Sequence, residues 1–502
     1  MSASRERKKR MEQGTVPASV PQKKKKKLSE GWILAICVVL IVALVFGGVL
    51  GFRAYQHNRT VLTVGNHDVT VSEFNFFYYN RAYSVASYAS TFGIDTSVSL
   101  KEQNVTTDNL MYLPYMGYDT SYFKDYTAND EGVYEDVTWA QYLSALTKDT
   151  IVQAYAIYNE AMAAGYTLDA DDQKEIDDEI AALELQAATQ GESLDGMLSR
   201  VFGSGCDEDG YRNYMTVIHV ASHYPETLKY TDEQIAARYE ESPEDFDIVS
   251  FYLYTTKASD YAEKDEEGNT AEPTEENEAE AKENAERMAA DFRAMNDDVR
   301  VCADYTKSTV KNAYGEEAAA WLFDTASLDG ENVKLFEKDG TYYVIKLAAK
   351  GDYQSYNAIE LFIENDSEEV AEGEMTAERK IAAISAAMKR DHSEENMKAM
   401  VETYGDGSNG VVENMMRSSM SSVDKSVFNW GLEGHKAGDF SSFITDNGTM
   451  FLFITGEGET KTNYSVSNTI TSEWLEELYE AALASCNYDE DAAMAGNVGL
   501  FR

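Results

Sequence analysis

His219 and His223 stand four residues apart, a spacing that puts both imidazoles on one face of a helix and can hold zinc. No Glu follows the first His and no third ligand stands out, so a solvated or packed pair is the expectation and no metal is assigned. The four cysteines, Cys37, Cys206, Cys302 and Cys486, form no C-x-x-C and no disulfide framework. Cys37 falls in an apolar run. The other three are free thiols, or one pair plus one free. The acidic stretch 258–287 offers many carboxylates but lacks the spacing of an EF-hand loop. No nucleophile–base arrangement, phosphate loop or metal cluster points to hydrolytic, phosphoryl-transfer or cofactor chemistry, and no cofactor is implied.

Charge narrows the partners. The 502 residues carry a formal charge of −45. The first 30 run the other way, with ten Lys or Arg against three Glu. An exported surface this acidic repels nucleic acid and anionic lipid, which excludes a nucleic-acid function.

Residues 31–52, GWILAICVVLIVALVFGGVLGF, are uncharged for 22 residues. At ~1.5 Å per residue the run reaches about 33 Å, enough to cross a hydrocarbon core of about 30 Å. It is longer than a signal-peptide core, and no small-residue cleavage site follows. The Lys-rich flank keeps the N-terminus cytoplasmic. The sequence therefore predicts a single-pass, uncleaved anchor with residues 53–502 outside the membrane.

Next come the elements that position any site. Val61–Val64 and Val69–Val71 alternate around Gly65-Asn66, a short hairpin signal. Thr70-x-x-Glu73 is a capping box that predicts a helix from about Val71. Residues 105–140 are rich in Tyr and turn formers, and predict a long loop packed on its own domain by its rings, or an aromatic binding surface. Helical patterns follow at 139–165, 171–188 and 194–228. A further helix, with a capping box at Thr231 and Gln234, ends near Pro243. The span 53–245 is mainly α-helical. Stretch 258–287 reads as a solvated acidic insert leading into a helix.

Beyond it, one pattern occurs twice. FDIVSFYLYTT, Trp321, Gly330 and DGTYYVIKL are matched by YNAIELFIEND, Trp430, Gly438 and NGTMFLFIT. Each unit reads as strand, helices, aromatic turn, then a hairpin closed by Asp339-Gly340 or Asn447-Gly448. The predicted fold class is α+β, a small antiparallel sheet with helices against it, repeated once.

This order of parts resembles the membrane-anchored foldases of the SurA and PrsA type. VLTVGNHDVTVSEF is similar to that family's opening pattern, with Gly65-Asn66 reversing the usual Asn-Gly. YTDEQIAARYEES resembles the helix that closes its chaperone domain, and DGTYYVIKL and NGTMFLFIT resemble the last strand of its parvulin-like isomerase domain. The resemblance implies a basic tail (1–30), a transmembrane anchor (31–52), a helical chaperone domain (53–245), two parvulin-like domains (246–352, with the insert 258–287, and 353–465) and a C-terminal helix and tail (466–502). It also implies unfolded or partly folded exported polypeptides as partners. Active parvulins carry a His in the first strand and another in the last. The matching positions here are Phe251 and Tyr343 in one unit and Glu360 and Phe451 in the other. Only His392 and His435 lie within the two units at all.

Rotation about a prolyl bond needs no covalent chemistry. An apolar pocket that favours the twisted amide helps without a titrating group, and Tyr343 can still donate a hydrogen bond. The expectation is a chaperone or foldase whose isomerase activity is weak or lost. Two alternatives stand beside it: an active parvulin-type isomerase, and a surface adhesin or assembly scaffold built on the Tyr-rich stretch 112–134.

Overall fold

The computed structural model describes residues 57–264, 270–366, 375–405 and 410–495. The basic tail and the 31–52 anchor lie outside them. Among the described residues no helix is long and apolar enough to cross a membrane. The class is α+β, and the contacts divide the chain into two units: residues up to Glu226 together with those from Leu478, and Thr227–Glu477.

The first unit opens with β1 (Thr60–Val64) and β2 (His67–Thr70), an antiparallel pair closed by Gly65-Asn66, where Gly65 takes a φ of 61°. Helix α1 (Val71–Ser87) starts where the capping residue predicts, with Thr70 Oγ1 accepting from the Glu73 amide at 3.3 Å. The other half of the box is replaced. Instead, the Glu73 carboxylate takes the His67 imidazole at 2.9 Å and the Tyr155 hydroxyl.

β3 (Asn104–Thr106) pairs with β4 (Val133–Thr138), and a short helix, α2 (Thr107–Tyr112), lies between them. The Tyr-rich stretch is largely a ring-packed loop: Leu113, Tyr118, Phe123 and Tyr134 are buried. Phe123 sits 4.8 Å from Tyr142, centroid to centroid, on helix α3 (Trp139–Ala163). Helices α4 (Ala170–Thr189) and α5 (Glu208–His223) follow. The core gathers Phe74, Tyr78, Trp139, Tyr142 and Tyr155. The far end of the chain completes it. Strand Asn487–Tyr488 pairs with the outer side of β1, Arg59 grips Asp489 at 2.6 Å, and Ala492 and Ala493 are fully buried.

Helix α6 (Asp232–Glu241), placed by its sequence at the close of the 53–245 domain, belongs to the second unit. There Tyr230 bonds Thr471 at 2.8 Å and Arg238 bonds Glu473 at 2.9 Å, both on the helix Lys461–Ser485.

The second unit holds two four-stranded antiparallel sheets. The first consists of β5 (Ile248–Lys257), β6 (Val299–Thr306), β7 (Val333–Lys338) and β8 (Thr341–Lys350), in the order β6-β5-β8-β7. Helix α7 (Glu275–Ala290) packs on it, and α8 (Lys307–Tyr314) and α9 (Glu316–Ala320) join Phe251, Ile345 and Leu347 in its main core. The second sheet consists of β9 (Gln354–Glu364), β10 (Gly410–Met415), β11 (Phe440–Ile444) and β12 (Gly448–Thr460), in the order β10-β9-β12-β11. Helices α10 (Ala377–Arg390) and α11 (Glu394–Tyr404) cover one face, and α12 (Arg417–Val423) and α13 (Lys425–Gly431) cover the other. Strand order and helix placement between strands repeat, as the sequence pattern predicts.

The two hairpins close differently, and this changes the reading of the repeat. Asp339-Gly340 is a two-residue turn with φ of 53° and 72°, and Lys338 pairs with Thr341. Asn447-Gly448 is not its equivalent: Ile444 pairs with Thr449, residues 445–448 make the loop, and Asn447 has no positive φ. Gly448 is already in the sheet, where a Cβ would stand 2.3 Å from the Ile363 carbonyl. The shift carries side chains to the opposite face. Tyr343 pairs with Phe336 facing α8 and α9, whereas its counterpart, paired with Phe443 and facing α12 and α13, is Met450. Phe451 points to the α10–α11 face.

The sheets are tied together. Phe428 of α13 is buried against Tyr252 at 5.8 Å, and Lys425 Nζ donates to the carbonyls of Asn296 and Val299 at 2.6 and 2.8 Å.

Candidate functional site: the helix-covered faces of the two sheets

In the first sheet, Phe251 of β5 and Tyr343 of β8 share the face covered by α8 and α9. Phe251 is fully buried, edge-on to Tyr305 at 5.4 Å and to Tyr314 at 5.7 Å; Tyr314 in turn meets Tyr343 at 5.3 Å. Two groups missed by the sequence reading complete this cluster. Cys302 Sγ lies 3.6 Å from the Tyr314 hydroxyl, and Arg300 Nη2 donates to the same oxygen at 3.3 Å. Their signal was available in the alternation of β6, which turns Cys302 inward toward Phe251, its cross-strand partner.

Burial pushes the Cys302 thiol and the Tyr314 phenol above their ordinary values. Both stay protonated at neutral pH, so the cluster offers no thiolate and no general base. What it supplies is aromatic surface and hydroxyl donors. Two shallow grooves beside it, of about 360 and 380 Å³, share Glu244 and Lys307. Charged side chains dominate their walls, which suits a polar segment better than a prolyl ring.

The second sheet places its two sequence-matched residues apart. Glu360 shares the α12–α13 face with Met450 and Leu452, and Phe451 lies buried on the other. Glu360 borders a cavity of about 20 Å³ with Met415, Met420 and Val427. Burial in this thioether-lined pocket raises its carboxyl above the usual range. No position on the four strands of either sheet carries His. His392, between α10 and α11, does reach the Phe451 face: it lies 5.9 Å from Phe453 and 5.7 Å from Phe440, which stacks on Phe451. Its Nε2 is bonded to the Gly438 carbonyl at 2.8 Å. His435 is stacked on Trp430 at 3.8 Å, with Nε2 bonded to the Trp430 carbonyl at 2.7 Å. The strand rings around His392 are phenyl rings, whereas His435 meets Tyr356 of β9 at 5.6 Å and lies 3.5 Å from the Asp439 carboxylate.

The first unit presents a different kind of surface. Met111, Tyr112 and Tyr115 are exposed, Tyr115 to 88%, in the stretch whose other rings are buried. Tyr83 and Tyr88, at the end of α1, are also exposed. The sequence indicated the aromatic content here but not which rings face outward. All three cysteines among the described residues are free, so the pairing left open by the sequence is not made. His219 and His223 do share a helical face, and the structure supplies the third neighbour the sequence lacked, Asp172 of α4.

No family model matches the chain, and no curated protein does. Among solved structures it is similar to the foldase protein PrsA from Streptococcus pneumoniae, at 13% identity and a TM-score of 0.17, over 56% of this chain and 93% of that one. A superposition this loose carries no argument about function.

Proposed function

We propose that the protein is a membrane-tethered extracytoplasmic chaperone that holds unfolded or partly folded exported polypeptides, with prolyl-isomerase activity weak or lost. The observation that carries this reading is the outward-facing set Met111, Tyr112 and Tyr115 on an acidic chain. Thioether and phenol side chains adapt to varied apolar partners, and the surrounding negative charge keeps the holder soluble. The absence of His from both sheets supports the loss of isomerase activity. The apolar run 31–52, with its polybasic flank, supports the tether.

The test is aggregation of an unfolded client with and without the chain in detergent micelles, with proline-limited refolding measured in parallel. Suppressed aggregation with little acceleration of refolding is the expected result. Unchanged aggregation would remove the chaperone reading, and rapid isomerisation would restore the active-isomerase one. Recovery of one stoichiometric envelope partner, in place of many substoichiometric ones, would point to the scaffold.

A further inference from the structure

We propose that Asp172, His219 and His223 form a binding site for a divalent transition metal, with zinc the best fit. The three residues come from two helices held in antiparallel register. Along α4 and α5, the Tyr211 hydroxyl bonds Glu179 at 2.5 Å and Arg212 pairs with Asp177 at 2.5 Å. That register brings the first turn of α4 to the last turns of α5. Asp169 caps α4 by accepting from the amides of Asp171 and Asp172, which fixes the backbone of Asp172. Val217 and Val220 are fully or almost fully buried on α5 and anchor the turn that carries both histidines.

Asp172 Oδ1 lies 2.8 Å from His223 Nδ1 and 3.6 Å from His219 Nδ1, and the three ligand atoms lie within 4.8 Å of one another. Ligands at ~2.0–2.1 Å from a tetrahedral zinc stand about 3.3 Å apart, a spacing those two distances bracket. An ion pair between Asp172 and His223 explains one contact but leaves the other histidine unexplained. His219 is 9% exposed, and its Nδ1 is buried with no hydrogen-bond partner. An orphaned buried imidazole nitrogen aimed at a shared carboxylate is costly as simple packing. A metal ion accepts its lone pair together with the other two.

The donor set selects the metal. Two imidazoles and one carboxylate suit Zn²⁺, Co²⁺ and Ni²⁺ better than Ca²⁺ or Mg²⁺, which favour all-oxygen cages. His223 is half exposed, so the fourth position opens to water.

The full-length chain, titrated with zinc against a chromophoric chelator in millimolar magnesium, tests this. The expected result is one zinc bound ahead of any others, and a tetrahedral visible spectrum when cobalt replaces it. Zinc should also raise the melting temperature of the wild type. His223→Gln, at the half-exposed position, should keep the fold and lose the site, weakening zinc by more than the roughly 10–100-fold that loss of an outer-shell partner brings. Asp172→Asn should do the same, and His223→Gln decides alone if that variant does not fold. Zinc binding at wild-type affinity and stoichiometry in His223→Gln, or displacement of zinc by magnesium, would overturn the proposal.

Discussion

The Tyr353 hydroxyl donates to Asp304 Oδ2 at 2.8 Å, and this single bond is the centre of the joint between the two sheets of the second unit. Asp304 lies near the end of β6 and Tyr353 leads into β9. The same carboxylate oxygen accepts from the Ser418 amide at 3.0 Å, and the Tyr353 oxygen accepts from the Arg417 amide at 2.8 Å. The Arg417 guanidinium lies 3.9 Å over the Tyr353 ring. Asp304 holds a φ of 58°, a conformation that Asp and Asn tolerate better than most residues.

Tyr353→Phe should therefore lower stability by about 1–3 kcal/mol, because it leaves the Arg417 amide and one carboxylate oxygen short of a partner. Asp304→Asn should cost less than Asp304→Ala, since Asn keeps both the backbone preference and an acceptor. Urea unfolding of the three variants checks the order. Equal losses for Asn and Ala would show that the carboxylate oxygen does not tie the joint.

Glu360 predicts a pH dependence of the unfavourable kind. Its folded pKa is raised above 4.5 by burial, so the ionised form is penalised in the fold. That cost is absent below the unfolded value and is fully present once the pH exceeds the folded one. Glu360→Gln should melt higher than the wild type at neutral pH, and the advantage should fade as pH falls toward about 4.5. Melting curves of both proteins across that range decide it; a constant difference would place Glu360 in solvent.

His67 predicts the opposite slope. Hydrogen bonding to Glu73 is the leading cause that raises its pKa above 6.5, and the ring stacks on Tyr155 at 4.2 Å. The stabilisation is complete below the unfolded value and is lost as pH rises through the folded one. His67→Gln should thus be more destabilising near pH 5.5 than near pH 8, by about 1–3 °C in melting temperature for an ion pair of this exposure.

Replacing Met111, Tyr112 and Tyr115 together by Ser tests the client surface. Each side chain is exposed, so stability should change by less than about 0.5 kcal/mol per site. Aggregation assays should then need about tenfold more protein for the same protection, the effect of losing roughly 1.4 kcal/mol of binding. Undiminished protection would move the client surface elsewhere.

The parts legible in the sequence are those fixed by neighbours. Gly65-Asn66 turns the first hairpin, Thr70 starts α1, and the order of strands and helices repeats, because each depends on a few adjacent residues. Where a distant partner competes, the local signal misleads. Glu73 does not return to its own cap because His67 and Tyr155 hold it. Asn447-Gly448 looks like a hairpin turn, but pairing of Gly448 with Glu364 draws the glycine into the sheet, so Met450 and not Phe451 matches Tyr343. Asp172 stands a helix away from the histidines it joins, and no spacing rule in the sequence connects them.

β1 is hydrogen-bonded on one side to β2, its neighbour in the chain, and on the other to Asn487–Tyr488, close to the end of it. The first unit therefore brackets the second in order of synthesis: its opening strand is made early and its closing strand last. Local contacts form before long spans close, so both sheets of the second unit can assemble while β1 still has an open edge. Until residues 487–493 arrive, that edge is a template for stray strand pairing, and the core lacks Ala492 and Ala493. A finished first unit therefore forms only on a chain that has been made at least as far as Ala493.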